Sequence, residues 1–219
     1  MTKNYFITFE GIDGSGKSTQ AKILVEKLQS LKLETLFLRE PGGTSISEEI
    51  RSVLLNNRED EMSSRSEALL MCASRAQLTK DIISPELKAG KWIVADRYAD
   101  STLAYQGGGR GLNLDWLIKL NQFATYGIEP DLTFYIDIEP NIGFHRRKNI
   151  SDDRIESAGL EFQNEMKNVN FADGLILAGG GDIFNYEKTL SNKIRDAYEK
   201  KLFNYFFKKN KPILVICRG

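Results

Sequence analysis

Apolar residues in this chain fall into five short runs, separated by longer stretches in which apolar residues recur with the period of a helix. Most of the short runs are apolar throughout, which is typical of strands buried on both faces of a sheet. Strands that alternate with helices predict an α/β fold with a parallel sheet and right-handed crossovers. The predicted strands are Tyr5–Glu10, Glu34–Arg39, Trp92–Asp96, Leu132–Asp137 and Pro212–Cys217, and the predicted helices are Lys17–Leu31, Ile46–Asn56, Ser64–Lys88 and Asn113–Tyr126.

Two of these patterns predict further detail. In the first helix, Ile23, Leu24, Leu28 and Leu31 share one side, which we expect to be its buried face. In the last helix, Asn113 is the expected N-cap. The stretch from Asn168 to Ser191 departs from the alternation, because its triple glycine is unfavourable inside a helix.

The composition is that of an ordinary globular chain. Its 219 residues are 41% hydrophobic and 27% charged, which suits one domain with a buried core. The 30 basic residues balance the 30 acidic ones, so the net charge gives no overall attraction to nucleic acid or to an anionic membrane. Any anion-binding site must therefore be built locally.

Targeting signals are absent from the sequence. The N-terminus lacks the pattern of a signal peptide, and no apolar run approaches the ~20 residues that span a bilayer. The two cysteines, Cys72 and Cys217, lie far apart and outside any metal-binding or redox spacing, which favours reduced thiols. We therefore expect a cytoplasmic protein.

The most informative motif is Gly11-Ile-Asp-Gly-Ser-Gly16-Lys17-Ser18, between the first predicted strand and helix. It matches the P-loop pattern, in which backbone N–H groups and a helix N-terminus surround phosphate oxygens. We expect Lys17 to contact the β- and γ-phosphates of ATP and Ser18 to bind Mg²⁺. The expected ATP-binding residues are Gly11, Asp13, Gly14, Ser15, Gly16, Lys17, Ser18 and Thr19.

A second acidic element supports the same nucleotide site. The apolar strand Trp92–Asp96 ends in a carboxylate, which is the residue type that a P-loop protein places beside Mg²⁺. Strands that end in aspartate are common, so Asp96 alone is weak evidence for a metal site. The indication is stronger because the sequence also contains a P-loop. Ser18 and Asp96 are the predicted metal-site residues.

Arginines at strand ends favour a kinase whose acceptor is itself a phosphate. Arg39 and Arg97 lie at the carboxyl edge of the predicted sheet, where ligands of such sheets bind. Planar guanidinium groups suit bidentate contacts to phosphate. A phosphate monoester is already ionised near pH 7 and needs no general base, which agrees with a single histidine, His145, in a basic loop. The guanine-binding Asn-Lys-x-Asp of GTPases is absent, since Asn192-Lys-Ile-Arg195 lacks the acid.

These motifs resemble those of the thymidylate kinase family. Arg39-Glu-Pro-Gly-Gly-Thr44 and Ser101–Gly111 together are specific among P-loop kinases, and the similarity runs almost continuously from Tyr5 to Gln163. The resemblance implies transfer of the γ-phosphoryl group of ATP·Mg²⁺ to dTMP, giving dTDP for dTTP synthesis. It also implies a three-layer fold with a five-stranded sheet, a lid near 145–156 and a homodimer. The other matching stretches are Phe9–Thr19, Asp96–Tyr98, Pro130–Asp137 and Asp153–Glu156.

The resemblance also assigns roles to single residues. Asp13 resembles the acid that contacts the sugar 3′-hydroxyl, and Tyr105 resembles a wall of the deoxyribose pocket. Gly14 stands where one branch of the family has an arginine, so the lid is expected to supply arginines here. The implied acceptor-phosphate ligands are Arg39, Arg51 and Arg97; the base contacts are Met71, Arg75, Thr102 and Gln106; the lid candidates are Arg146, Arg147 and Arg154. The catalytic candidates are Lys17, Arg97, Arg147 and Arg154.

Three features depart from the family pattern. Met71 occupies the place of a phenylalanine that stacks on thymine. The pattern Phe-x-x-x-[Ile/Val]-Arg-x-x-Tyr is restored when Phe162-Gln163 is joined to Asn192–Tyr198, so residues 164–191 are predicted to be a surface insertion that contributes little to the core. Members of the family usually continue past the last strand into a loop and a final helix, whereas this sequence stops at Cys217-Arg-Gly219, so we do not expect that helix here. We therefore expect one kinase domain over residues 1–219, with this insertion.

Two alternatives remain open at this point. One is a kinase with another base preference, which Met71 allows and the retained Arg75 and Gln106 disfavour. The other is a nucleotide-binding protein without catalysis, which the insertion and the short C-terminus suggest and the intact P-loop opposes. Titration with ATP and dTMP, followed by product analysis, separates the three.

Overall fold

The computed structural model describes residues 4–57, 59–147 and 153–155, the backbone of two strands at 174–177 and 213–215, and the single positions 200, 204, 208 and 209. Helices pack on both faces of a parallel sheet, which confirms the α/β class. The elements are, in chain order, β1 (Phe6–Glu10), α1 (Lys17–Ser30), β2 (Thr35–Arg39), α2 (Ser45–Leu55), α3 (Ser64–Leu78), a π-helical segment (Thr79–Ile83), α4 (Ser84–Lys88), β3 (Trp92–Asp96), α5 (Ala99–Thr102), a second π-helical segment (Leu103–Gly109), α6 (Leu114–Ala124), β4 (Leu132–Asp137), α7 (Pro140–Arg146), β5 (Gly174–Leu177) and β6 (Ile213–Val215).

The element boundaries follow the hydrophobic pattern closely in the first two thirds of the chain. β3 and β4 have the predicted bounds, and β1 and β2 begin one residue later than predicted. The predicted helix Ser64–Lys88 is α3, a π-helical segment and α4 in succession. Asn113 is the N-cap of α6, and its side chain accepts a hydrogen bond from the backbone N–H of Trp116 at 2.9 Å. In the part of the chain that the structure describes, no helix is both long and apolar enough to cross a membrane.

The sheet brings the carboxyl ends of β1, β2 and β3 together. β1 pairs with β3 so that Phe9 lies opposite Asp96, and β2 pairs with β3 so that Arg39 lies opposite Asp96. The glycine loop leaves the end of β1, next to these two side chains. The strand register therefore places the predicted phosphate loop, Asp96 and Arg39 together at the carboxyl ends of the strands.

The predicted strand count of five is wrong. The sheet has six strands in the order β2-β3-β1-β4-β5-β6. The unexpected strand, β5, comes from the stretch predicted to be a surface insertion. Its backbone pairs with β4 on one side and with β6 on the other, so residues 174–177 are not a surface excursion. The physical reason is the apolar run Leu175-Ile-Leu177, which has the length of a short strand. The insertion itself stays a prediction.

Deleting residues 164–191 is expected to destabilise the protein, because the deletion removes β5 and leaves both its neighbours unpaired on that side. Loss of several ladder hydrogen bonds, at about 1 kcal/mol each, should lower the thermal midpoint by at least ~5 °C. Circular dichroism during heating measures this. A shorter deletion of 182–191 keeps β5 and serves as the control. An unchanged midpoint after the long deletion would contradict the pairing.

The two faces of β1 supply two separate cores. Ile7 and Phe9 pack with α1 on one face, and Phe6 packs with Leu78 and Ile93 on the other. This alternation follows from the period of two along a strand. Both cores contain side chains of β1, the strand that leads into the glycine loop, so they fix the position of that loop.

The predicted buried face of α1 is only partly correct. The buried apolar positions are Ala21, Val25 and Leu28. Ile23 and Leu31 are 52% and 58% exposed. Ala21, Val25 and Leu28 also share one face at helical spacing, but a small alanine gives a weak hydrophobic signal in the sequence.

Candidate active site

The glycine loop between β1 and α1 leaves no room for a side chain at Gly14. This residue has φ 78°, and a Cβ atom there would lie 2.4 Å from the carbonyl oxygen of Gly143 in α7. The left-handed backbone and the close approach both require glycine. An arginine therefore cannot stand here, and Lys17 is the one cationic side chain of the loop Gly11–Ser18.

Lys17 is the first residue of α1 and is buried. Its Nζ donates a hydrogen bond to the carbonyl oxygen of Ile12 at 2.8 Å, inside the loop. Burial, together with the positive charge of Arg97, lowers the pKa of Lys17 to about 8 although nearby carboxylates oppose this. A phosphate anion in the loop would favour the charged ammonium and raise that pKa again.

Ser18 and Asp96 are in direct contact. The Oγ of Ser18 donates a hydrogen bond to Oδ2 of Asp96. Among the residues that the structure describes, no group of three or more His, Cys, Asp or Glu side chains forms a metal cage. The pair nevertheless suits Mg²⁺, which takes one or two protein oxygens and completes its shell with phosphate oxygens and water. The two predicted metal residues are thus brought together beside the glycine loop.

Arg97 is held at the end of β3 by a dense set of partners. Its backbone is left-handed, with φ 76°, which costs a non-glycine residue about 1–3 kcal/mol. Its Nη1 donates to the carbonyl oxygen of Gly11 at 3.1 Å and to Oγ of Ser101 at 3.2 Å. Its Nη2 donates to Oδ1 of Asp13 at 2.5 Å and to the hydroxyl of Tyr105 at 2.8 Å. The surrounding structure therefore fixes this guanidinium before any substrate binds.

Asp13 is the anionic partner within this cluster. Its second carboxylate oxygen accepts a hydrogen bond from the hydroxyl of Tyr105 at 2.7 Å. Burial by itself raises the pKa of Asp13, but the charges of Arg97 and Lys17 outweigh burial and hold that pKa well below its usual value. Asp13 is therefore ionised, and its two oxygens are engaged by Arg97 and Tyr105.

Arg39 and Arg51 line the same cavity as Asp13 and Arg97. The Nη2 of Arg39 lies 3.1 Å from Oε1 of Glu48, and the Arg39 side chain is 40% exposed. The Nη1 of Arg51 donates to the carbonyl oxygen of Pro41 at 2.9 Å. Among the residues that the structure describes, Arg39 donates to Glu48 and Arg51 donates to the carbonyl oxygen of Pro41, and each guanidinium has five N–H donors in all, so both have donors to offer an anion.

Arg75 is more constrained than its predicted role as a base contact requires. It is 2% exposed. Its Nε donates to Glu40 at 2.8 Å, and its Nη1 donates to Thr102 at 2.9 Å and Asn121 at 2.7 Å. Its Nη2 donates to the carbonyl oxygen of Tyr98 at 2.9 Å and lies 2.7 Å from Oε2 of Glu40. Four of the five N–H groups donate hydrogen bonds to protein oxygens, and Nη2 is also ion-paired with Glu40, so Arg75 has little donor capacity left for a base.

The remaining predicted base contacts lie together. Met71, Thr102, Tyr105 and Gln106 line the cavity next to Arg75. Met71 also packs against the apolar cluster that contains Tyr105 and Ile155. Thr102 and Gln106 are each 1% exposed, and both bring a hydrogen-bonding side chain to the cavity.

The three lid candidates do not point the same way. The Nη1 of Arg146 donates to the carbonyl oxygen of Gly14 at 3.2 Å, and Arg147 is buried; both line the cavity. Arg154 does not line it. Its Nε donates to the carbonyl oxygen of Leu54 at 2.7 Å, and its Nη2 lies 2.8 Å from Oε2 of Glu67. The structure therefore brings Arg146 to the glycine loop and Arg147 to the same cavity, but turns Arg154 towards Glu67.

One cavity of about 560 Å³ joins the glycine loop to the arginine-lined pocket. This volume is in the range of small-molecule sites. Of the predicted site residues, Gly11, Ser15 and Arg154 do not line it. The predicted residues that line it are Asp13, Gly14, Gly16, Lys17, Ser18, Thr19, Arg39, Arg51, Met71, Arg75, Asp96, Arg97, Thr102, Tyr105, Gln106 and Arg147.

Comparison with known proteins assigns this site to a family. A family model described as Thymidylate kinase matches residues 9–173. The chain belongs to the thymidylate kinase family. It is 48% identical over 164 residues to a thymidylate kinase of Thermosipho africanus, covering 75% of this chain and 81% of the relative. It is 46% identical over 168 residues to one of Lactobacillus delbrueckii subsp. bulgaricus, covering 75% and 79%. The crystal structure of thymidylate kinase from Ehrlichia chaffeensis has a TM-score of 0.59 and 36% identity, covering 71% of this chain and 84% of that chain.

The C-terminal part of the chain has a second similarity. A family model described as Peptidase C26 matches residues 160–219 and overlaps the thymidylate kinase match at 160–173. The stretch predicted to be an insertion lies within this second match. The thymidylate kinase similarity thus accounts for the chain up to residue 173, and the residues beyond it resemble a different family.

Two buried acids of this thymidylate kinase site were missed by the sequence analysis. Glu10 accepts from the backbone N–H of Tyr98 at 2.8 Å and from Oγ of Ser101 at 2.6 Å, so it holds the turn that carries Arg97. Glu67 contacts Gln106 and Arg154. The signal for Glu10 was a carboxylate at the end of an apolar strand. Glu67 lies in the first turn of α3, where an acid is expected merely to complement the helix dipole.

Replacing Met71 by phenylalanine is expected to lower KM for dTMP about two- to tenfold, since a stacked ring contributes ~0.5–1.5 kcal/mol beyond its buried area. Met71→Leu keeps the volume without the ring and is the matched control, with KM nearly unchanged. Steady-state kinetics with dTMP as the varied substrate measures both. An unchanged KM in the phenylalanine variant would place Met71 in the apolar cluster alone.

Proposed function

We propose that this chain transfers the γ-phosphoryl group of ATP to dTMP and releases dTDP and ADP. The observation that carries the proposal is the single cavity in which the glycine loop and an arginine-lined pocket face each other. A phosphoryl group can then pass between two bound nucleotides without leaving the site. As a thymidylate kinase, the chain supplies dTDP to dTTP synthesis.

The donor side is assigned to the glycine loop. The backbone N–H groups of the loop and the N-terminus of α1 would hold the β- and γ-phosphates. Lys17 would exchange its hydrogen bond to the carbonyl oxygen of Ile12 for the phosphate oxygens. Ser18 and Asp96 would hold Mg²⁺, which when bound neutralises charge on the transferred phosphate.

The acceptor side is assigned to Arg97, with Arg39 and Arg51. The phosphate of dTMP is ionised near pH 7, so the site must orient it and balance its charge rather than remove a proton. Arg97 is fixed by Asp13 and Tyr105 and needs little rearrangement. Arg39 is partly exposed and would turn from its contact with Glu48 towards the phosphate. Preorganised charge of this kind is the main means of catalysis in phosphoryl transfer.

The lid arginines divide between two roles in this proposal. Arg146 and Arg147 lie beside the glycine loop, where they would balance the charge of the transferred group. Arg154 lies against Glu67 and Leu54, outside the lining of the cavity, and is therefore assigned to the support of Glu67 behind the acceptor pocket. The catalytic role that the resemblance implies for Arg154 stays a prediction.

A coupled assay of ADP release with a panel of nucleoside monophosphates tests the proposal. We expect turnover with dTMP and dUMP, and poor turnover with purine monophosphates, because an unpaired buried polar group costs about 1–3 kcal/mol. Chromatography of the products identifies dTDP. ATP binding without ADP release for any monophosphate would support a nucleotide-binding protein instead.

Two further properties implied by the family are proposed with this function. The chain is proposed to act in the cytoplasm and as a homodimer. Sedimentation velocity at micromolar concentration tests the second point, with the mass of one chain, 24.8 kDa, as the outcome that contradicts a dimer.

A further inference from the structure

A buried carboxylate lies behind the base end of the cavity. Glu67 of α3 is 0% exposed, and its Oε1 accepts a hydrogen bond from Nε2 of Gln106 at 2.8 Å. Arg110 donates to both oxygens of Glu67, at 3.2 Å each. The Nη2 of Arg154 lies 2.8 Å from Oε2. Of these groups, only Gln106 lines the cavity.

Glu67 is ionised in this environment. Burial by itself raises its pKa, but the hydrogen bonds from Gln106 and Arg110 and the contact with Arg154 leave that pKa below its usual value. Two guanidinium groups that face one carboxylate favour its charged form, which lowers the pKa of Glu67. An ionised carboxylate carries no hydrogen, so Glu67 can accept hydrogen bonds but cannot donate them.

This property determines how the Gln106 amide is oriented. The two ends of a side-chain amide have nearly the same shape, and the hydrogen-bond network decides which end lies where. The end that faces Glu67 must be the nitrogen. Among the residues that the structure describes, none donates a hydrogen bond to Oε1 of Gln106. Gln106 therefore offers a bound base its amide oxygen, an acceptor, together with its second N–H.

The pyrimidine bases differ at the atom that such an acceptor would meet. Thymine and uracil carry a hydrogen on N3 between two carbonyl oxygens. Cytosine has an unprotonated N3, an acceptor, beside an amino group. An amide oxygen thus pairs with the N3–H of thymine and repels the N3 lone pair of cytosine, whereas a reversed amide would favour cytosine.

Resting on the proposed function, we propose that Glu67 is a positioning residue that sets base specificity. It holds the amide nitrogen of Gln106 and thereby makes the site accept pyrimidines with an N3–H and reject cytosine. Arg110 and Arg154 keep the carboxylate ionised and fixed in place. The specificity of the site thus depends on a residue that does not touch the substrate.

The test compares kcat/KM for dTMP with kcat/KM for dCMP. In Glu67→Gln the new amide can either donate or accept, so Gln106 can adopt both orientations. We expect the ratio to fall about tenfold, the cost of one mispaired buried group. Glu67→Asp keeps an acceptor-only group and should retain most of the ratio. Arg65→Gln, at an exposed position of the same helix α3, is the matched control, with the ratio unchanged.

Loss of the counter-charge to two arginines could prevent Glu67→Gln from folding. The double variant Glu67→Gln with Arg110→Gln removes one charge of each sign and is expected to show the same fall in ratio. Equal losses with dTMP and dCMP, or an unchanged ratio in a folded variant, would overturn the proposal. Dissociation constants for the two nucleotides, measured by calorimetry, give the ratio without turnover. They therefore separate a failure of the Glu67 assignment from a failure of the proposed phosphoryl transfer.

Discussion

Replacing Lys17 by alanine is expected to reduce kcat to less than about one tenth of its original value, a barrier increase of at least ~1.4 kcal/mol. During transfer, negative charge is spread over the oxygens of the γ-phosphoryl group while the bond to the departing ADP breaks, and a fixed cation must balance this charge. Lys17 is the only cation that the glycine loop contains, because Gly14 cannot carry a side chain. Its Nζ already points into the loop, 2.8 Å from the carbonyl oxygen of Ile12.

The matched control is Lys27→Ala, an exposed lysine on the same helix, which should leave kcat unchanged. Because Lys17 is buried, its replacement by alanine also removes packing. Lys17→Met keeps the apolar stem and therefore tests the loss of the charge alone. Thermal midpoints of all three variants show whether the fold is intact. A folded Lys17→Ala variant that keeps more than about a tenth of kcat would contradict the donor-site assignment.

The parts of the fold and site that could be predicted are those with a local cause. The glycine loop needs specific residues at specific spacing, and strands buried on both faces must be continuously apolar. Parallel strands bring their carboxyl ends to one edge, so Arg39, Asp96 and Arg97 could be expected to meet. Ser18 and Asp96 are in contact in the structure, as this reasoning predicts.

The partners of each side chain could not be predicted, because they come from distant segments. Arg75 lines the cavity, and its contact with a base stays a prediction, but the sequence did not indicate that Glu40, Thr102 and Asn121 also engage its donors. Nothing in the sequence near Arg75 indicates these contacts. Arg154 likewise lies against Glu67, a residue of α3, rather than at the glycine loop.

The C-terminal part shows a different limit of sequence reasoning. The helix pattern of the family continues beyond Phe162 only if residues 164–191 are left out, which is why they were predicted to be an insertion. The same stretch lies in the match to Peptidase C26, residues 160–219, and it contributes β5 to the sheet. An apolar run of three residues, Leu175-Ile-Leu177, is too short to distinguish a strand from a covered loop by its pattern alone. To predict that this run pairs with β4, one would have to know which strand of the sheet still lacked a neighbour.

Replacing Arg97 by lysine is expected to lower kcat/KM for dTMP about ten- to a hundredfold while the affinity for ATP is retained. The guanidinium of Arg97 contacts four groups at once, and it stacks on the ring of Tyr105 at 4.9 Å. A lysine ammonium has three donors and no plane, so it cannot keep Asp13 and Tyr105 in place and also contact a phosphate. Each lost hydrogen bond to a charged group costs about 1.5–3 kcal/mol.

Whether Arg97→Lys lowers kcat/KM for dTMP or the affinity for ATP decides whether Arg97 acts at the acceptor or at the donor site. Steady-state kinetics with each substrate varied in turn, and calorimetry with ATP alone, provide the measurement. Arg65→Lys, on the exposed surface of α3, is the matched control and should leave both substrates unaffected. If the affinity for ATP fell and kcat/KM for dTMP did not, Arg97 would belong to the donor site. The pairing of Arg97 with Asp13 would then have to hold the glycine loop rather than the acceptor phosphate.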